Sequence, residues 1–165
     1  MEFDFEETMS ADNTIQYPVL VYGTLRPGCG NYTYCLKGRT VFEQEVTLDG
    51  FVMHSNGGFP YLVDGDSTVV ATLVYLNPEP EMFADTMEGL DGLEGFYGEG
   101  NPMNHYDRRL IDFESDGLIG KAWVYIASTR AQERVKELAV IESGDWMEFQ
   151  AEQRALRIAA GMKAY

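Results

Sequence analysis

The sequence predicts a small barrel or an α+β fold, and three observations carry that expectation. Short β-rich runs recur along the chain, each bounded by Gly, Pro, Asn or Asp. One of them, residues 68–76 (TVVATLVYL), is dense in β-branched residues and reads as a central strand. Helical spacing is confined to a few segments, which disfavours a repeating βαβ sheet. The length of 165 residues suits one domain, and a 45% hydrophobic content supplies a core.

The elements follow in order. Residues 1–16 are polar, acidic and aperiodic, and read as a flexible leader. Residues 17–22 (YPVLVY) form a short apolar run that meets Gly23, as a buried strand ending in a loop does. The next stretch, GTLRPGCGN, is too rich in Gly and Pro to be regular. Residues 41–47 alternate weakly, and Asp49-Gly50 signals a turn before Phe51, Val52 and Met53. Gly57-Gly58 breaks the chain ahead of 59–63, and Asp64-Gly65 breaks it again before the central strand. Asn77 and Pro78 are expected to open a helix in which Phe83, Met87 and Leu90 recur on one face. Residues 105–113 and 118–127 flank Asp116-Gly117, a strong hairpin signal. Thr129 with Gln132 suggests a capping box, with Val135 and Leu138 continuing that helix to about Ile141. Asp145 with Glu148 opens a last helix carrying Trp146, Phe149, Leu156 and Ala160.

Charge narrows the function classes. Asp plus Glu number 27 against 12 Lys plus Arg, a net −15. A nucleic-acid binder needs cations to displace counterions, and a polybasic membrane anchor needs them too. No apolar run approaches the roughly 18 residues of a membrane span. The N-terminal MEFDFEETMS carries no base and no apolar core, so it is not read as a secretory signal. Two cysteines are too few for a disulfide scaffold, and a reduced cytoplasmic location is expected. The charge is blocked: residues 40–107 hold no Lys or Arg, whereas 17–39 hold Arg26, Lys37 and Arg39 and no acid. Two readings stand, a solvated acidic surface or a small basic block around a site for an anion.

The motifs that could carry chemistry are few. Gly23 and Gly28 begin a G-x-x-x-x-G pattern, but Cys29 and Gly30 stand where a phosphate loop needs Lys and Ser or Thr. The strand end Tyr22-Gly23-Thr24-Leu25 is either a plain turn or a nest of backbone amides for a carboxylate or oxyanion. Cys29, Cys35, His54 and His105 lack zinc-ligand spacing and any thiol-enzyme signature, and are read as structural or exposed. In the acidic stretch 87–97 most carboxylates are expected in solvent. Glu94, between Leu93 and Gly95-Phe96, is either another solvated loop acid or a buried base of raised pKa.

VLVYGTLR (19–26), LDGLEGF (90–96) and YDRRLI (106–111) occur in that order. Together they resemble the γ-glutamylcyclotransferase-like, or AIG2-like, proteins. GGFPYLV (57–63) resembles that family's glycine-and-proline segment, and Ser143-Gly144-Asp145-Trp146 a tail motif of part of it. The resemblance covers about residues 17–147. It leaves the leader 1–16 outside, and a C-terminal helix at 148–165 packed on the domain or extending from it.

The resemblance implies a small mixed β-barrel with flanking helices. It implies a cleft where the Tyr22, Gly23, Thr24 and Leu25 loop meets a catalytic Glu94, with Tyr106 and Tyr125 lining it. Arg26 matches the family's loop arginine and is expected to be the nearest cation for a substrate carboxylate. The implied reaction is closure of a γ-glutamyl amide on its own α-amine, giving 5-oxoproline and a free amine with no metal or cofactor. The implied partner is a small γ-glutamyl molecule; neither nucleic acid nor membrane is expected, and the oligomeric state is left open. The alternative is a non-catalytic member that binds a small ligand or a protein. The long loop between Glu94 and Tyr106 departs from the pattern, as a lid or as an outer wall of the pocket.

Overall fold

The computed structural model describes residues 15–161. Most of the acidic leader therefore lies outside the described residues. Among the described residues, six strands and four helices follow the order β1 (Val19–Val21), α1 (Gly30–Cys35), β2 (Thr40–Ser55), β3 (Pro60–Leu76), α2 (Pro80–Glu94), β4 (Tyr106–Ser115), β5 (Leu118–Ala127), α3 (Gln132–Lys136), β6 (Ala139–Val140) and α4 (Trp146–Ala159). The strands form one mixed sheet in the order β4-β5-β1-β3-β2-β6. Only the β1–β5 pair is parallel. The sheet curls into a half-barrel. Thr47 on β2 donates its amide to the Ser115 hydroxyl at the end of β4, so the two sides meet at one end. The expected α+β class and barrel-like sheet are thus observed.

The continuous apolar run of β1 is explained by its central place. Leu20 and Tyr22 face a core inside the curl with Val46, Leu73, Val124 and Trp146. Val19 and Val21 face a second core, where Met87 and Leu90 of α2 cover the opposite face. A strand buried on both faces shows no alternation of polarity, only of direction.

The Asp116-Gly117 hairpin is present, both residues having positive φ (50° and 84°) as a tight primed turn requires. Asp145 caps α4 as expected, accepting from the amides of Met147 and Glu148. Trp146 lies buried and stacks on Phe149, while Leu156 points outward and is 63% exposed.

Five local expectations are corrected. Asp49-Gly50 and Asp64-Gly65 do not end strands. They sit across from each other in the β2–β3 ladder, where the register shifts between Asp49 and Phe51. A bulge takes up the extra residues and bends both strands without ending them. Gly65 is required there, because a Cβ would stand 2.4 Å from a Val52 methyl.

The first long helix starts at Pro80, not beside Asn77. Glu79 is the cap, while the Asn77 side chain accepts from the Glu79 amide in the turn ahead. The Thr129–Gln132 capping box does not form. The Ser128 hydroxyl accepts from the Ala131 amide instead, and Thr129 donates its amide to Asp107. That helix ends at Lys136, because Ala139 and Val140 are drawn into the sheet beside His54 and Ser55. Finally, the Gly- and Pro-rich stretch after β1 runs into the short helix α1.

Candidate active site

The loop after β1 is shaped by two close contacts. A Cβ on Gly23 would stand 2.7 Å and 2.8 Å from the Pro60 ring carbons, so glycine lets the loop lie against the start of β3. The Arg26 amide donates back to the Gly23 carbonyl, closing a tight turn. None of the Gly23, Thr24 and Leu25 amides is taken by a backbone carbonyl among the described residues. The Thr24 hydroxyl accepts from Asn31 at the start of α1, which holds that side chain in place.

Helix α2 delivers Glu94 to the same place. Its buried face carries Thr86, Met87 and Leu90, and Gly95 ends it in the left-handed conformation (φ 64°). Glu94, the last helical residue, projects into a cavity of about 320 Å³ with Tyr22, Gly23, Thr24, Leu25, Tyr106 and Tyr125 on its walls. All the expected site residues except Arg26 are therefore brought together.

Arg26 is not brought to this cavity. It is buried, donating to Asp145 at 2.8 Å and to Glu45 at 3.0 Å. Its guanidinium ties the loop to β2 and to the cap of α4, so it faces the far side of the loop. The expectation that it meets a substrate carboxylate fails because those two acids hold it.

The electrostatics single out one group. Burial pushes the Glu94 carboxyl up to about 7. It makes no hydrogen bond to any described residue. Burial also drives the Tyr22, Tyr106 and Tyr125 phenols up, with the Glu94 charge adding to each. These phenols stay protonated, and each donates to a structural acceptor: Tyr22 to the Tyr125 carbonyl, Tyr106 to the Pro60 carbonyl at 2.9 Å, and Tyr125 to Asp91 at 2.7 Å. They frame the cavity and leave Glu94 as the group able to exchange a proton near neutral pH.

Asn31, Phe59 and His105 also line the cavity, though none of them was expected at this site from the sequence. His105 in particular is neither a core histidine nor a surface one. Its Nε2 lies 2.8 Å from the Tyr61 hydroxyl, and its ring borders the cavity. No local signal marks it, since its partner is 44 residues away. His54, by contrast, is buried with Nδ1 3.0 Å from the Leu138 carbonyl, as a structural residue. Among the described residues, no three His, Cys, Asp or Glu side chains converge as metal ligands would, and no helix is long and apolar enough to cross a membrane.

The loop from Gly95 to His105 is an organised outer wall. Buried Asn104 accepts from the Tyr97 amide and donates to the Gly98 carbonyl and to Asp107. The His105 amide returns to the Gly95 carbonyl at 2.9 Å, closing the loop at its base. His105 is the residue of this loop that reaches the cavity.

The chain is similar to several known proteins. Residues 19–148 match the family model described as gamma-glutamyl cyclotransferase, AIG2-like. A Vibrio cholerae protein named for gamma-glutamylcyclotransferase is 35% identical over 132 residues, 80% of this chain and 96% of its own. The gamma-L-glutamyl-butirosin B gamma-glutamyl cyclotransferase of Niallia circulans is 29% identical over 108 residues. That match spans 66% of this chain and 65% of the relative, so the chain spans somewhat less than two thirds of that protein. In fold, the crystal structure of an uncharacterized protein from Pyrococcus horikoshii superposes with a TM-score of 0.58 at 24% identity, covering 83% of this chain and 95% of that one.

Proposed function

The chain belongs to the gamma-glutamyl cyclotransferase, AIG2-like family, and from that premise we propose that it cleaves a γ-glutamyl amide to 5-oxoproline and a free amine, with Glu94 as general acid and base. One observation carries the reading: a carboxyl with no hydrogen-bond partner and a pKa near 7 shares a cavity with a loop of unclaimed backbone amides.

The chemistry follows from those parts. Ionised Glu94 takes a proton from the substrate α-ammonium group. The freed amine attacks its own γ-carbonyl carbon and closes a five-membered ring, so the nucleophile arrives with the substrate. The amides of Gly23, Thr24 and Leu25 receive the developing oxyanion, each good donor contributing roughly 3–4 kcal/mol. The oxyanion then collapses, the old C–N bond breaks, and its electron pair leaves with the amine nitrogen. Both protons lost by the α-nitrogen finish on the departing amine, so Glu94 ends as it began. Tyr106 and Tyr125, neutral and held by Pro60 and Asp91, wall off the reacting centre from water.

A cavity of about 320 Å³ accommodates a glutamyl group with part of its leaving amine. We place the reaction in a reducing compartment, the cytoplasm, since both Cys29 and Cys35 are free thiols. The deciding experiment is a screen of γ-glutamyl compounds for 5-oxoproline release by the protein and by Glu94→Gln. Release by the parent protein and its loss in the variant supports the reading. Equal release from both overturns the role of Glu94. Binding without release by either identifies a ligand-binding member of the family.

A further inference from the structure

The cavity wall is not uniform in exposure. Tyr22, Leu25, Tyr106 and Tyr125 are buried, whereas Phe59 is 38% exposed and Leu93 43% exposed. Two large apolar side chains of the wall thus stand partly in water, and their exposure marks the cavity's mouth. They come from different elements, Leu93 from the end of α2 beside Glu94 and Phe59 from the turn before β3.

The Phe59 side is preformed. The Asn56 side chain accepts from the Gly58 and Phe59 amides at 2.9 Å and 3.0 Å, and the Asn56 amide donates to the Phe59 carbonyl. The ring packs against Tyr61 (5.5 Å between centroids) and edge-on to His105 (6.1 Å). Tyr61 in turn stacks on Tyr106 (5.0 Å) and hydrogen-bonds His105. Burial, and then the nearby Arg134 and Arg130, push the imidazole pKa down. The mouth thus offers a preformed aromatic shelf, and an exposed leucine from another element lines the same cavity.

We infer that this mouth is a leaving-group subsite for an apolar or aromatic amine, so that the preferred substrate is a γ-glutamyl amide whose amine carries a flat or bulky hydrocarbon group. The inference rests on the γ-glutamyl amide reading and assigns its unspecified half. A small amine leaves Phe59 and Leu93 wet. A cationic tail covers less of that apolar surface and lies near Arg134 and Arg130. A phenyl group covers both apolar faces, and the shelf needs no rearrangement to receive it.

The test uses three γ-glutamyl amides that differ only in the amine: ethylamine, phenethylamine and 1,5-diaminopentane. Each is titrated calorimetrically into Glu94→Gln protein, which holds them without turnover, and into the same protein with Phe59→Ala or Leu93→Ala added. Both added changes lie at exposed positions on separate elements, and circular dichroism checks that each variant folds. The expected result is phenethyl binding about tenfold tighter than ethyl, a difference of ~1.4 kcal/mol. Either added change should remove most of that advantage and leave the ethyl compound unaffected. Equal binding of the three, tightest binding of the cationic compound, an advantage untouched by both changes, or binding of none overturns the subsite. Release of 5-oxoproline from the ethyl compound by unaltered protein is read separately. Its presence alongside any of those outcomes overturns the subsite alone; its absence from all three compounds overturns the broader reading.

Discussion

Asp91 and Glu94 stand one helical turn apart at the end of α2, and their carboxylates meet opposite fates. Asp91 accepts from Arg108 at 3.0 Å and 2.9 Å and from the Tyr125 hydroxyl at 2.7 Å. Arg108 is itself sandwiched between Phe96 and Trp123, 5.0 Å and 4.4 Å from their ring centroids. Glu94 has no such partner and meets the cavity. The first acid pins the helix end to the β4–β5 hairpin; the second is left half-buried and without a partner on the position so fixed. Neighbouring acids in L-D-G-L-E-G therefore divide into one that builds the site and one that works in it.

The pH dependence follows from the Glu94 pKa of about 7. A general base acts when ionised. The kcat/KM for 5-oxoproline release should therefore rise about tenfold per pH step below that value and level off above it. Glu94→Gln should lower release at least ~100-fold at all pH values and erase the rise. Steady-state kinetics between pH 5 and 9 check both. A profile flat through 7 removes Glu94 from the base role.

Stability should carry the same signature with the opposite sense. A carboxyl whose folded pKa is raised from 4.5 to about 7 binds a proton in the folded state that the unfolded chain has released. Its contribution is therefore complete below about 4.5 and is lost as pH rises through 7. Replacing Glu94 with Gln removes that loss. The variant should be more stable than the parent at pH 8, by up to about 3 kcal/mol, and nearly equal to it at pH 4. Urea unfolding of the two proteins at both pH values measures the difference.

Arg26 is expected to matter for folding rather than for substrate affinity. Arg26→Met leaves Asp145 and Glu45 without their cation. It should cost about 2–3 kcal/mol in denaturant unfolding, the range for losing hydrogen bonds to charged groups. The KM of the folded variant should stay at the parent value. A large rise in KM with unchanged stability would return Arg26 to the substrate.

Gly23→Ala probes the contact that seats the amide loop. Its methyl group would meet the Pro60 ring at 2.7 Å, against a side chain that starts a strand. The change should cost about 1–3 kcal/mol and lower kcat by displacing the donors. Adding Pro60→Ala makes room for the methyl, so the double variant should recover part of both losses. A double-mutant cycle without coupling would show that the two residues do not set the loop.

Much of the fold was legible because its determinants are local. The β1 run, the Asp116-Gly117 turn and the Asp145 cap each depend on residues within a few positions, and each forms as read. The errors arose where distant chain segments compete. The helix after Thr129 stops early because β2 offers a sheet edge to Ala139 and Val140. Asp49-Gly50 becomes a bulge because the β2–β3 ladder on both sides outweighs a local turn preference. His105 gave no signal, because only folding sets it beside Tyr61 and at the cavity.

Sequence alone determined the class of fold and the order of most of its strands and helices. Those are matters of residue type, spacing and backbone preference. Tertiary structure decided which charges are paired and which carboxyl lines the cavity. Arg26 found its partners 19 and 119 residues away and was turned from the site, whereas Glu94 was placed among buried tyrosines with no cation beside it. A carboxyl's pKa depends on the medium around it, and that medium exists only once the chain has closed over it.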